Sequence, residues 1–385
     1  MSEESWDAIV VGAGPAGSAA AAALASAGHR VLLVEKDEFP RDKVCGEFLS
    51  PEAQDALARL GAMDEVERVK PERITAGSVH PPAGAPIAFE LPRPALGISR
   101  RALDDLLARR AAVSGAAVRF GHRVIRLEGD LARGFRVRIA GGGRETAVAA
   151  RLVVGAWGRW NALDRALERG FVRKPASYVG WSRDYVGRTD FLRGKVRLYL
   201  FPGGYCGLSR VEGGEVNLAG VVSEPAYRRT GGGWDAALAA ARRSNRALAA
   251  DLDALMPGPR GFLGVGPVYF TAKPPVESGV LMAGDAAGVI DPFSGQGQAG
   301  ALHGGNLAAE VAGVFLRGGT SPEATERDYA RRWRDAFGAG FAWSAAFRGL
   351  ILHPRLGAVA ARLAGGRLVR LAIGRLATAP APPRA

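Results

Sequence analysis

The apolar positions of the chain fall into short β-branched blocks and longer runs of small residues. Ala8-Ile9-Val10-Val11 is the first block. Its length, its branching and the glycine after it predict a strand buried on both faces. Gly12-Ala13-Gly14-Pro15-Ala16-Gly17 follows, and an alanine-rich stretch to about Ala27 predicts a helix stopped by Gly28. Val31-Leu32-Leu33-Val34 is the second block, and it ends on Glu35. Strand, glycine turn, helix and strand in this order form a parallel βαβ unit.

Further along, Ser50-Pro51 caps and opens a helix to about Leu60. Alternating runs predict strands over 74–91, and Arg100 begins a helix to about Val113. Strands follow near 117–120, 122–128 and 135–139, and a Gly141-Gly142-Gly143 turn leads into a run over 147–155. Residues 178–222 give the clearest sheet signal, with runs over 196–201, 204–211 and 215–222 joined by glycine turns. Short strands joined so tightly make an antiparallel meander. Residues 234–256 read as one helix, ended by Pro257-Gly258-Pro259. Residues 279–283 are a last buried strand, followed by Gly284-Asp285, a glycine-rich segment and a helix to about Leu316.

The predicted fold class is therefore α/β. A Rossmann-like nucleotide-binding domain is assembled discontinuously from residues 1–72, 100–165 and 276–320. An antiparallel-sheet substrate domain is inserted as residues 73–99 and 166–275, and a basic helical region occupies 321–385.

Charge alters this picture only near the C-terminal end. The chain has 51 Lys+Arg against 38 Asp+Glu, a net charge of +13. Elsewhere bases are spread among acids, with no basic run carrying interleaved aromatics, so no nucleic-acid partner is expected. Residues 336–385 hold seven arginines and no acid, with Leu356, Val359, Leu363, Leu368, Leu371 and Leu376 at near-helical spacings. Such a helix either lies on an anionic membrane surface or docks on the body with its arginines solvated. No apolar run reaches membrane-spanning length, and the polar, acidic first seven residues do not read as a signal peptide. Cys45 and Cys206 suggest no disulfide framework, and five scattered histidines have no metal-ligand spacing. A cytoplasmic, metal-free protein is expected, touching a membrane at most through its C-terminal region.

The chemistry begins at the glycine turn. Gly12 allows the tight turn, Gly14 lets backbone approach a pyrophosphate, and Gly17 packs helix on strand. The helix N-terminus behind Pro15 and Ala16 offers unpaired N–H groups and a partial positive charge. Glu35, followed by Lys36, stands where a carboxylate can accept from a ribose hydroxyl, and its charge would repel a 2′-phosphate. That leaves FAD or NAD for this slot.

The order of motifs resembles the FAD-dependent monooxygenase superfamily of p-hydroxybenzoate hydroxylase type, within it the geranylgeranyl-reductase and flavin-halogenase branch. The similarity spans roughly residues 7–316. It implies FAD, with Gly12, Gly14, Gly17 and Glu35 as the nucleotide fingerprint. Arg41-Asp42-Lys43-Val44-Cys45-Gly46 resembles the branch's segment after the second strand, where arginine and backbone contact FAD. Arg100 resembles the arginine that opens the next helix and reaches the cofactor. Gly284-Asp285 resembles the late motif whose aspartate holds the flavin-side ribose. Asp291-Pro292-Phe293-Ser294-Gly295-Gln296-Gly297, continuing to Gln298, resembles the loop and helix start beneath the isoalloxazine. A helix starting near Gly297 would aim its positive end at an anionic reduced ring. One departure stands out. Ala156-Trp157-Gly158 replaces the usual Ala-Asp-Gly or Ala-Ser-Gly, which leaves open how an NADH or NADPH donor is recognised. Trp157 either packs on the adenine side or is a buried aromatic at a sheet edge.

The resemblance implies an oxidoreductase acting on a hydrophobic small molecule. Trp181, Tyr199, Phe201 and Tyr205 of the meander are the expected substrate wall. This favours a monooxygenase working through a flavin hydroperoxide on an aromatic, polyketide or isoprenoid compound. The halogenase WxWxIP motif is missing. Reduction of isoprenoid double bonds is the alternative, since Tyr199-Leu200-Phe201-Pro202 and Cys45-Gly46 resemble reductase patterns. A non-catalytic FAD- or lipid-binding protein is a third reading. Cys45 is the one candidate catalytic side chain, as proton donor or redox thiol; otherwise it is a small buried hydrophobe.

Overall fold

A computed structural model describes residues 4–174 and 177–352. Its first sheet is built on Glu4–Val11, which pairs in parallel with Val31–Val34 on one side and Arg144–Gly155 on the other. Val31–Val34 continues to Ala117–Arg119, and Arg144–Gly155 continues to Val280–Met282, again in parallel. The central layer thus draws strands from three separated parts of the chain. Ala8, Ile9 and Val10 are fully buried, as a parallel strand covered on both faces requires. The helix Pro15–Ser26 packs on Gly297–Leu316 at very short range. A β-carbon at Gly305 would sit 2.1 Å from the Ala16 carbonyl oxygen, so only glycine permits that crossing. The antiparallel pair Arg123–Asp130 and Gly134–Gly141 extends the layer from Arg144–Gly155.

The second sheet contains the expected meander. Tyr178–Gly187, Val216–Ser223, Gly204–Arg210 and Lys195–Phe201 lie side by side in that order, all antiparallel. Glu72–His80 then joins Lys195–Phe201 in parallel, and Ile87–Gly97 pairs beyond it. Successive side chains alternate between faces. One face buries Tyr185, Tyr199, Cys206, Leu208, Val216 and Leu218 beneath two helices. The other borders the cavity described below.

Those two helices correct the expectation of one helix over 234–256. Trp234–Ser244 and Arg246–Asp253 are separated at Asn245, which leaves helical geometry with φ −135° and ψ 104°. Its side chain accepts from the Leu248 N–H and donates to the carbonyls of His80 and Leu200. The break ties the helices to the sheet they cover, and Leu255–Pro257 then returns as a short strand beside Tyr178–Gly187.

The last described helix, Pro322–Leu352, docks on the first sheet through buried Tyr329 and Trp333. The Tyr329 hydroxyl donates to the Met282 carbonyl at 2.5 Å. Leu356, Val359, Leu363, Leu368, Leu371 and Leu376 of the expected amphipathic segment lie outside the described residues. Among the described residues no helix is long and apolar enough to cross a membrane.

Candidate cofactor and substrate site

A cavity of about 760 Å³ runs between the two sheets. Gly12, Gly14, Pro15, Ala16, Glu35 and Lys36 border it, as do Gly284, Asp285, Pro292, Gly295, Gly297 and Gln298, and Gly284 packs directly against Ala16. Arg100 borders it beside Gly14, and Cys45 and Gly46 border it beside Gln298.

The turn after Glu4–Val11 is shaped by glycine where backbone must come close. Gly12 has φ +103°, and a β-carbon there would meet the Ala156 carbonyl oxygen at 2.5 Å. Gly14 precedes the helix with no side-chain cap, and a β-carbon there would meet only the Arg100 guanidinium, at 3.8 Å. Its missing side chain therefore leaves open cavity in front of the helix N-terminus. Glu35 closes the turn from behind: its carboxylate accepts the Ala13 N–H at 2.8 Å and the Asp37 N–H at 3.0 Å.

Arg100 holds Asp104 through two hydrogen bonds of 2.7 Å each. Burial alone would raise the Asp104 pKa, but Arg100, followed by Arg41 and Lys43, outweighs it and holds the carboxyl below its ordinary value. Lys43 also borders the cavity. Burial, reinforced by Arg41 and Arg100, brings its pKa down to about 8. An arginine and a lysine along one wall fit a diphosphate. The Gln298 side-chain oxygen is buried without a hydrogen-bond partner among the described residues, beside the uncapped start of Gly297–Leu316. These features fit FAD, which needs anion binding at one end and polar contacts to a flat ring at the other.

Two expected cofactor residues do not border the cavity. Gly17 sits behind the turn, where a β-carbon would be 1.8 Å from the Gly12 carbonyl oxygen, so it packs helix on strand. Arg41 is turned away. Its guanidinium bonds Asp104 at 2.8 Å, lies 3.5 Å from Asp37 and stacks over Phe39. From this part of the chain the cavity is bordered by Arg100 and by Lys43, the second unmarked by the sequence pattern although it lies in the same segment.

The expected aromatic wall needs a larger correction. Tyr199 and Phe201 point to the helix-covered face, where the Tyr199 hydroxyl donates to Asp251. Trp181 touches the cavity margin, but its indole covers Gly220 on that same hidden face and packs edge-on against Phe262. Only Tyr205 of the four turns inward. Its hydroxyl donates to Asp291 at 2.5 Å, and its ring meets Phe293 edge-on. Burial raises the Asp291 pKa, against the pull of Tyr205, the Phe293 N–H and Arg348. Val196, Leu198, Ser209, Ala219 and Val221 also face the cavity from the sheet, with Gly207 among them.

Cys45 is held from three directions. Its sulfur accepts from the Glu47 N–H and the Gln298 amide, each at 3.4 Å, and its carbonyl accepts from Asn217 at 2.8 Å. Trp157 is a packed aromatic, with its ring over Gly155 and its N–H donated to Asp164 at 3.1 Å.

The architecture and the cavity define an FAD-binding flavoprotein. The model of the FAD binding domain matches residues 5–183. Menaquinone reductase of Mycolicibacterium smegmatis is 31% identical over 360 residues, covering 84% of this chain and 81% of its own length. Digeranylgeranylglycerophospholipid reductase of Methanosarcina mazei is 30% identical over 355 residues, covering 87% of this chain and 82% of its own. The solved myxobacterial chondrochloren halogenase superposes with a TM-score of 0.81 at 24% identity, covering 97% of this chain and 91% of its own. The chain belongs to the FAD-dependent oxidoreductase family that includes these two reductases, a branch of the FAD-dependent monooxygenase superfamily.

Proposed function

We propose that this protein is a flavin-dependent reductase of carbon–carbon double bonds in an isoprenoid chain. The observation that carries this reading is the sheet face turned to the cavity. Val196, Leu198, Gly207, Ala219 and Val221 are aliphatic or small, and Val265 and Val268 border the same space. Trp181, Tyr199 and Phe201, which favoured a flat aromatic substrate, have their rings behind the sheet. An aliphatic wall gains from burying a hydrocarbon chain and asks for no polar groups from it. Two relatives carry lipids in their names, menaquinone and digeranylgeranylglycerophospholipid, the second isoprenoid by name.

In this reading bound FAD, reduced by NADH or NADPH as transient donor, would supply the two electrons as a hydride. The chain does the rest. Arg100 and Lys43 offset the diphosphate charge, Glu35 and Asp285 accept from the cofactor's hydroxyls, and the inserted sheet excludes water from the alkene. Monooxygenation is the second reading. It is favoured by aromatic side chains that border the cavity, among them Phe89, Phe270 and the pair Tyr205 and Phe293, whose ring centroids are 5.3 Å apart.

The two are separated by reducing the holoprotein without oxygen and adding a geranylgeranyl glycerolipid. The reductase reading expects the flavin to reoxidise and the lipid to gain two hydrogens. A lipid unchanged without oxygen, but gaining one oxygen atom once air is admitted, supports monooxygenation. FAD and lipid bound with no turnover in either atmosphere leaves a binding protein.

A further inference from the structure

Behind the large cavity lies a second chamber of about 30 Å³, enough for a water molecule or two. Polar groups dominate its lining, among them Ser182, Asp184, Asn217 and Arg260. Asp42, Lys43 and Glu47 border both spaces, so the chamber adjoins the cavity at those residues. Its outer end reaches solvent, where Arg260 pairs with Glu215 at 2.5 Å and both side chains are partly exposed.

Glu47 occupies the junction. Its backbone is held at φ +55°, a left-handed conformation that a residue with a side chain adopts at a cost. Its carboxyl accepts the Arg100 N–H at 3.0 Å. Asp184, across the chamber, is 8% exposed, and neither of its carboxylate oxygens has a hydrogen-bond partner among the described residues; Arg260 approaches one of them at 3.4 Å. A buried acid with unfilled acceptor sites beside a water-sized space marks a place for ordered water.

We propose that Glu47 and the water chamber behind it form a proton relay from the surface to the flavin cavity. Both readings of the function consume one proton per turnover beyond the one the reduced flavin carries. An alkene takes up a hydride and a proton, and oxygen insertion releases one oxygen atom as water. The relay supplies that proton. It rests on the flavin site and not on the choice of substrate.

The groups around Glu47 make it a proton carrier at neutral pH. Burial raises its pKa first, the Arg100 N–H lowers it, Glu212 raises it, and Arg100 and Arg260 lower it by charge, leaving it at about 8. Lys43 shares the junction, but the charges that act on it are Arg41, Arg100, Asp104 and Glu35, on the cofactor side. The sign follows. Glu47 holds its proton until pH rises through about 8, where an exposed glutamate has lost its own near 4.5.

Two measurements test this. In the FAD-free protein, carboxyl carbon NMR of labelled glutamates should show one group titrating near pH 8, absent in Glu47→Gln. A wild-type spectrum with every glutamate titrating below about pH 6 overturns the proposal. In the holoprotein, reduced flavin is reoxidised by dioxygen, which takes two electrons and two protons to become hydrogen peroxide. The flavin provides one of those protons and the relay the other. Glu47→Gln should slow this step tenfold or more and raise its solvent deuterium isotope effect, while Glu47→Asp recovers part of the rate. An unchanged rate and isotope effect in Glu47→Gln overturns the relay. If that variant does not fold, Asp184→Asn, at the far wall, must give the same change in isotope effect for the relay to stand.

Discussion

At the residue scale, Lys43 decides how the cofactor-free protein meets a diphosphate. With its pKa brought down to about 8, chiefly by burial, it loses its proton as pH passes that value. A dianion binds the charged form, so above pH 8 binding must take up a proton. FAD affinity should then fall about tenfold per pH unit. Calorimetric titration of the FAD-free protein between pH 7 and about 9.5 reads this directly, and Lys43→Met should bind more weakly at pH 7 with the slope gone. A wild-type affinity constant over the range would remove Lys43 from the site. The same shift acts on stability. Unfolded, the lysine keeps its proton to about 10.5, so the folded state gains as pH rises from about 8 to 10.5. Sequence showed the glycines of the turn because their role is local: Gly12 needs φ +103° wherever the rest of the chain lies. It could not show which cation of Arg41-Asp42-Lys43 faces inward. That depends on Asp104, 63 residues beyond Arg41, which takes Arg41 at 2.8 Å.

At the element scale, the period of the meander strands was legible and its phase was not. Alternation requires Tyr199 and Phe201 to share a face, and they do. Which face meets the cavity depends on what covers each side, and here two helices cover the one bearing Tyr199, Phe201 and Cys206. Aromatic content alone pointed to the wrong side. The helix over 234–256 failed for a related reason, since its apolar period continues through Asn245 although backbone carbonyls of the sheet claim that side chain. The two faces should respond differently to substitution. Tyr199→Phe removes a buried hydroxyl from Asp251, which keeps Arg197 at 2.7 Å. It should cost about 1–2 kcal/mol in urea unfolding and leave FAD affinity unchanged. Ala219→Phe puts a ring into the cavity and should keep stability and flavin while lowering lipid turnover tenfold or more. Full turnover in Ala219→Phe would show that substrate lies elsewhere.

At the scale of the whole molecule, the question is what holds the late Gly284-Asp285 turn against the mid-chain strand end. Two buried cations do so. Arg169, with no exposed side-chain surface, donates to Asp164 and to the Ala286 carbonyl, each at 2.9 Å, and to the Pro274 carbonyl at 2.9 Å. Lys273 donates to the Asp285 carbonyl at 2.8 Å and the Arg159 carbonyl at 2.7 Å. Asp164 also takes the Trp157 ring N–H and the Asn161 N–H, at 3.1 and 2.7 Å. This gives the departure at Trp157 a physical meaning. The carboxylate missing from position 157 is supplied seven residues later, as the centre of a structural knot and not as a cavity group. None of this could be read along the chain, because the knot joins residues up to 117 apart through carbonyls that any residue carries. The knot should be costly to cut from one side. Arg169→Met leaves Asp164 as a buried, uncompensated charge and should lower stability by about 3–5 kcal/mol. Adding Asp164→Asn removes that charge and should recover more than 1 kcal/mol of the loss, a coupling that independent sites do not show. Because the knot ends on the carbonyls of Asp285 and Ala286, both variants should also bind FAD more weakly than wild type. Urea unfolding with and without FAD measures both effects. Additive losses in the double variant, with FAD affinity intact, would mean that the cations fill space near the turn without holding it.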